Sequence, residues 1–253
     1  MSGLDFRFAE PQSKKKRISL MNIVVTGASK GIGKAIAGKF ASAKNNIFIC
    51  SRNENQLSAT TNELNETTIG NVKYFATDLT DKEAILKFSD WILDQCASVD
   101  VLVNNAGDFI PGSVYDEAEG ALEKMLSVNL LSAYHLTRAL LPSMMKKKSG
   151  HIFNMSSIAA LSAYHNGGSY SISKFALMGF SKNLREEMKP FNIKVTTVYP
   201  GAVYTDSWKG SGVAPERIME ADDIANMVYT ASLLSHQACV EDIVVRPLKG
   251  DLP

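Results

Sequence analysis

Tyr170 and Lys174 stand four residues apart in GGSYSISKFALMGF, residues 167–180. On a helix this spacing puts a phenol and an ammonium on one face. A free tyrosine has a pKa of about 10, too high for ready proton exchange near neutrality, and a neighbouring positive charge favours its phenolate. The two residues therefore form a candidate proton-exchange pair. An amphipathic helix accounts for the same spacing equally well, so the pair gains meaning only from what the fold brings to it.

A second constellation lies near the start of the chain. In TGASKGIGKAIA, residues 26–37, Gly27, Gly31 and Gly33 leave an apolar run and enter a helical one, with Ser29, Lys30 and Ile32 between them. Small residues let a backbone approach a pyrophosphate, and a helix N-terminus offers free N–H groups and positive dipole. The spacing is GxxxGxG rather than the commoner GxGxxG, and a purely structural turn also uses glycine. Position decides for a nucleotide: the turn follows the first strand of an alternating pattern. About 20 residues further on, an acid would suit the ribose 2′-hydroxyl of NAD and a base the 2′-phosphate of NADP. The residues there are Ser51 and Arg52, with no carboxylate before Glu54, and Lys30 adds a second cation. This charge pattern predicts NADP (NADPH) in preference to NAD.

The elements that must position these groups are legible as alternation. Strand-length apolar runs occur at 21–25, 46–50, 72–76, 100–103, 151–155, 193–199 and 242–246. Helix-length segments separate them at about 31–44, 53–66, 81–97, 118–147, 168–189 and 220–234. Strands alternating with helices predict an α/β fold, a Rossmann-type doubly wound parallel sheet of about seven strands with helices on both faces. Such sheets bind ligands at the carboxyl ends of their strands. Residues 1–20 read as a flexible N-terminal tail carrying the basic cluster Lys14–Arg17, and 21–253 as one catalytic domain.

Composition bounds the function. The chain has 253 residues, 45% of them hydrophobic, and a formal net charge of +1. That balance gives no bias toward nucleic acid or an anionic membrane. Cys50, Cys96 and Cys239 lack CxxC spacing and are expected as reduced thiols of a cytoplasmic protein. His135, His151, His165 and His236 share no metal-ligand spacing, so no metal is expected and the histidines read as surface or helix residues.

Seven short motifs in order then carry a resemblance: TGASKGIG (26–33), DLTD (78–81), NNAG (104–107), SVNL (127–130), NMSS (154–157), YSISK (170–174) and PGAVYT (200–205). Across residues 21–206 the chain resembles the short-chain dehydrogenase/reductase (SDR) family, 3-oxoacyl reductases among them. The resemblance implies that Tyr170 is the catalytic acid/base and Lys174 its activator, the latter also reaching the cofactor ribose. It implies that Ser157 orients the substrate, with Ser156 at the wrong spacing, and that Asn129 completes the tetrad. It further implies cofactor contacts from Asp78 and Leu79, from Asn104, Asn105, Ala106 and Gly107, and from Pro200, Gly201, Val203 and Thr205. The activity implied is hydride transfer between NADP(H) and a small-molecule carbonyl compound or secondary alcohol. A non-catalytic NADP-binding redox sensor is the alternative, disfavoured because all four tetrad positions are filled.

Three further expectations follow. Substrate choice is expected from Tyr164, His165 and the 203–218 loop, where Tyr204 and Trp208 suggest a ring-bearing or apolar compound and Gly210 and Gly212 a closing lid. The family commonly pairs subunits through the two long helices, so a homodimer or homotetramer is expected, with Leu140, Leu141, Met144, Met145, Phe175, Met178 and Phe180 as the apolar residues that the contact and the core would share. The segment VEDIVVRPLKGDLP departs from the family's glycine-rich end, which weakens the tetramer and the 3-oxoacyl assignment alike.

Overall fold

A computed structural model describes residues 20–208 and 212–252. The basic cluster at 14–17 and Gly210 of the expected lid lie outside the described residues. In chain order the elements are β1 (Asn22–Thr26), α1 (Gly31–Ala41), β2 (Asn46–Ser51), α2 (Glu54–Thr67) and β3 (Asn71–Ala76). They continue with α3 (Lys82–Gln95), β4 (Val101–Asn104), α4 (Ala121–Leu126), α5 (Ser132–Lys147) and β5 (Gly150–Met155). The last are α6 (Gly168–Met188), β6 (Ile193–Pro200), α7 (Ala221–Ser232) and β7 (Asp242–Val245).

The strands form one parallel sheet in the order β3-β2-β1-β4-β5-β6-β7. Alternation of side chains along each strand feeds two cores, one on each face. Ile23 and Val25 of β1, Ile47 and Ile49 of β2, and Val101 and Val103 of β4 pack with α1, α2 and α7. The residues between them, Val24, Phe48, Cys50 and Leu102, pack with α3, α5 and α6 on the other face. Strand order reverses direction between β1 and β4, so the cleft at their carboxyl ends is the switch point where ligands of such sheets sit.

Two expectations about elements need correction. The single helix expected over 118–147 is α4, a π-helical turn at Ser127–Leu131, and then α5. The widened turn contains Asn129, and π-turns of this kind occur frequently at functional sites. His151 is not a surface residue: it is buried in β5, its Nε2 2.7 Å from Thr196 Oγ1. Burial there pushes its pKa down to about 3, with the charge of Lys194 adding to the effect.

A buried polar chain ties α6 to the sheet. Asn104 Nδ2 donates to Asn154 Oδ1 (2.8 Å) and Thr137 Oγ1 (2.9 Å), and Asn154 Nδ2 donates to Ser181 Oγ (2.8 Å). These bonds link β4, β5, α5 and α6, and buried networks of this sort fix one relative placement of the elements that share them.

Candidate active site

At the carboxyl end of β1 the glycine turn has no room for side chains. Gly27 has φ +63°, and a Cβ built on it would stand 2.9 Å from the Ala106 Cα. One on Gly33 would stand 2.4 Å from the Gly27 carbonyl oxygen. Gly31, at φ +55°, faces the Thr205 methyl group, so the turn after β1 meets the loop after β6. The end of β4 holds the turn from the other side. Asn105 donates its amide to the carbonyls of Thr26 (2.9 Å) and Gly27 (3.2 Å), while Thr26 Oγ1 accepts from the backbone N–H groups of Asn105 and Ala106 (2.9 Å each). Asn105 thus shapes the cradle with its side chain.

The end of β2 forms the cradle's far rim. Ser51 Oγ is buried without a hydrogen-bond partner, and Arg52 is exposed beside it. Asp78 accepts from the backbone N–H and hydroxyl of Thr80, both at 2.9 Å. The backbone bond, with help from the hydroxyl and the nearby Arg52 charge, holds its carboxyl below the ordinary range. Leu79 is buried behind it. Lys30 reaches the other way: its Nζ lies 3.1 Å from Asp206 Oδ2, in the loop after β6. Pro200 ends β6, Gly201 N–H bonds the Val245 carbonyl at 2.8 Å, and Val203 bridges to Met219.

The tetrad residues converge beside this cradle. Lys174 is buried, donates to the Met155 carbonyl at 3.0 Å, and has its Nζ 5.7 Å from the Tyr170 ring centroid. Burial lowers its pKa to about 8. Tyr170 is half-buried. Its pKa is raised, because desolvation outweighs the opposing hydrogen bond from Ser157. Desolvation of the phenol dominates, while Lys174 Nζ is drawn to the Met155 carbonyl. Ser157 Oγ also accepts from Ala159 N–H at 3.2 Å, whereas Ser156 bonds the Lys174 carbonyl and serves the helix.

Asn129 does two things at once. Its Oδ1 accepts from Asp108 N–H (2.8 Å), and its Nδ2 donates to the Asp108 carbonyl (3.1 Å) and Ser173 Oγ (2.9 Å). A Cβ on Gly107 would stand 2.9 Å from Asn129 Oδ1 and 3.4 Å from Lys174 Nζ. Only a glycine fits comfortably there. Two residues absent from the sequence reading join the site through this segment. Phe109 packs edge-on against Tyr170, ring centroids 4.8 Å apart. Glu117 accepts from Ser169 N–H (3.1 Å) and Ser169 Oγ (2.5 Å), one residue before Tyr170. Neither belongs to a periodic pattern; their only signal was proximity to NNAG. The four histidines are not grouped for a metal, and among the described residues no cluster of His, Cys, Asp or Glu could hold one.

A model of the short chain dehydrogenase family matches residues 21–214. The chain belongs to the short-chain dehydrogenase family. It is 33% identical over 239 residues to a sepiapterin reductase of Chlorobaculum tepidum, covering 91% of this chain and 97% of that protein. It is 30% identical over 225 residues to an uncharacterized oxidoreductase of Staphylococcus epidermidis, covering 89% and 96% respectively. Among solved structures it resembles an alcohol dehydrogenase of the archaeon Thermococcus sibiricus complexed with 5-hydroxy-NADP, with TM-score 0.85, 27% identity, and 92% and 99% of the two chains covered. It also resembles a metagenomic short-chain oxidoreductase in complex with NADP, with TM-score 0.78, 32% identity, and 90% and 96% covered. This short-chain dehydrogenase carries all four tetrad residue types on the elements just described, and among its described residues no helix is long and apolar enough to cross a membrane.

Proposed function

We propose that this short-chain dehydrogenase is an NADP(H)-dependent reductase of a small carbonyl compound, with Tyr170 as proton donor. The observation carrying the proposal is the stack of Ser157, Tyr170 and buried Lys174 beside a cradle that side chains cannot enter. The cradle fits a dinucleotide: Gly27, Gly31 and Gly33 present bare backbone at the start of α1, and Ser51 offers a buried hydroxyl lacking a partner. Solved relatives bind NADP, and Arg52 with Lys30 supplies the positive charge a 2′-phosphate would need. Asp78, Leu79, Asn105, Ala106, Gly107, Pro200, Gly201, Val203 and Thr205 complete its surround.

The bound nicotinamide supplies the hydride. The chain's own residues handle the proton. With its pKa raised by burial, Tyr170 is a protonated phenol at neutral pH, which is the form a reduction needs. Its Oη gives the proton to the oxygen of the carbonyl as that oxygen gains electrons, and Ser157 Oγ can turn a hydrogen bond to the same oxygen. Lys174, charged below about pH 8, then favours the phenolate left behind. Asn129 keeps the wall of the cleft in place through Asp108.

We also propose that the protein works as a homodimer, and that it belongs in a reducing compartment, the cytoplasm, in keeping with its three unpaired thiols.

Replacing Tyr170 with Phe tests the central role. Turnover of NADPH with any accepted ketone should drop roughly 100- to 10,000-fold while nucleotide affinity, measured by calorimetry, changes little. Turnover retained in that variant would remove Tyr170 from the chemistry. Nucleotide binding by the unaltered protein without turnover of any carbonyl would favour a sensor instead.

A further inference from the structure

Two features of the surroundings of Tyr170 bear on its substrate. The first is aromatic. Phe109 is 49% exposed, although it touches Tyr170 edge-on at 4.8 Å, and Tyr164 is 46% exposed. Tyr164 lies close enough to Tyr170 that the two phenolates would repel, an effect that adds to its burial in raising its pKa. Large aromatic faces open to water beside a reacting group are surface waiting to be covered by a ligand.

Phe109 is also held in place. Its backbone N–H donates to its neighbour Asp108 Oδ1 at 2.9 Å. Asp108 in turn is gripped at both backbone groups by Asn129, which Ser173 of α6 anchors. The following segment is tied to the start of α6. Gly112 N–H bonds the Asn166 carbonyl (3.2 Å), Ser113 Oγ bonds Asn166 Oδ1 (2.7 Å), and Glu117 takes both donors of Ser169. These bonds fix the backbone that carries Phe109, and with it the place where the ring meets Tyr170.

The second feature is the charge of the segment tied to the start of α6. Residues 108–123 contain Asp108, Asp116, Glu117, Glu119 and Glu123 and no lysine or arginine; Lys124 lines the same pocket as Asp116, Glu117 and Glu119, which leaves the carboxylates in excess. Residues 158–169, facing them across the Asn166 contacts, contain His165 and no lysine or arginine. Asp206 sits in the loop after β6, paired with Lys30. Lys174 is buried behind the phenol and bonded to Met155, so it offers a substrate no counter-charge at the mouth. An anionic compound, or a thioester carried on a phosphate-bearing arm, would meet this field and lose affinity.

We infer that the substrate is an uncharged carbonyl compound bearing a planar ring next to the carbonyl, its ring packed on Phe109, and that anionic acyl thioesters are excluded. This rests on the reductase reading above and narrows it.

The test compares three carbonyls with NADPH: a neutral aryl ketone or diketone, its saturated-ring analogue, and an acetoacetyl thioester of coenzyme A. The unaltered protein should favour the aryl compound over its saturated analogue by at least about fivefold in kcat/KM, from the ring contact alone. Phe109→Ala should bring that ratio near one, and Phe109→Tyr should keep it. Better turnover of the thioester, or a Phe109→Ala loss equal for aryl and saturated compounds, overturns the proposal while leaving the reductase reading standing. Absence of turnover on every carbonyl, with NADPH binding intact, overturns both.

Discussion

Tyr170 and Lys174 differ in how burial acts on them, and that difference governs pH behaviour. Burial raises the phenol and lowers the ammonium to about 8, so each group is pushed toward its neutral form. For Lys174 the folded value lies below the unfolded one of 10.5, so the unfolded chain holds more protons between about pH 8 and 10.5. Its contribution to stability is therefore least favourable below about pH 8 and improves as pH rises through that window. At neutral pH the folded protein holds this charge at a cost. Lys174→Met should raise stability at pH 7 by about 1–3 kcal/mol in urea unfolding, with the gain gone near pH 10.5, while abolishing most activity. An unchanged or lowered urea midpoint would show that the bond to the Met155 carbonyl outweighs desolvation. In the active protein, kcat/KM for reduction should fall as pH rises above about 8, where the ammonium is lost.

At the scale of elements, cofactor choice depends on two loops meeting at the cradle. Arg52 ends β2 and Lys30 lies within the glycine turn, but Lys30 is engaged with Asp206 of the loop after β6. An exposed pair of this kind contributes about 0–1 kcal/mol, less than a charge-assisted contact to phosphate of about 1.5–3 kcal/mol. A phosphate at the ribose should therefore win Lys30 from Asp206. Calorimetry on Arg52→Asp should show the NADP preference over NAD collapse or invert, and Lys30→Ala should weaken NADP with little effect on NAD. An Asp206→Asn variant should bind NADP slightly more tightly, since the competitor is gone. If the unaltered protein binds both nucleotides equally, the assignment of the phosphate site is wrong.

For the whole molecule, the faces of α5 and α6 that do not pack inward set the expectation of a dimer. Of the expected apolar residues, Leu140, Leu141 and Met144 are the ones that core packing claims. What remains outside is a stripe on α6, Ile172 and Phe175, each about two-fifths exposed, followed by Gly179, whose outer side is open. They stand at i, i+3 and i+7, on one face of the helix. Beside it a groove of about 510 Å³ runs between α5 and α6, lined by Tyr134, Arg138, Pro142, Met145, Phe180 and Glu187. An open glycine between apolar neighbours lets two helices approach closely about a two-fold axis. Light scattering should give a dimer at micromolar concentration, and Phe175→Asp should shift it to monomer. A monomeric unaltered protein would end this reading.

The alternation of apolar runs and helical segments was enough to specify the parallel sheet, because strands buried on both faces must be continuously apolar and parallel neighbours need crossovers. The seven motifs likewise marked Tyr170, Lys174, Ser157 and the glycine turn, since each uses a residue type that its local job demands. Strand and helix boundaries fell within a few residues, apart from the π-turn around Asn129, whose widening leaves no mark on hydrophobic periodicity. Other features belong to the tertiary structure alone. Phe109 lies 61 positions from Tyr170 in the chain and Glu117 52 from Ser169; each pair meets because β4 and β5 are neighbours in the sheet. The direction of the Tyr170 shift, the pairing of Lys30 with Asp206 and the burial of His151 depend on desolvation and on contacts between loops. These are properties of position in space, and residue order does not carry them until the sheet has closed around the site.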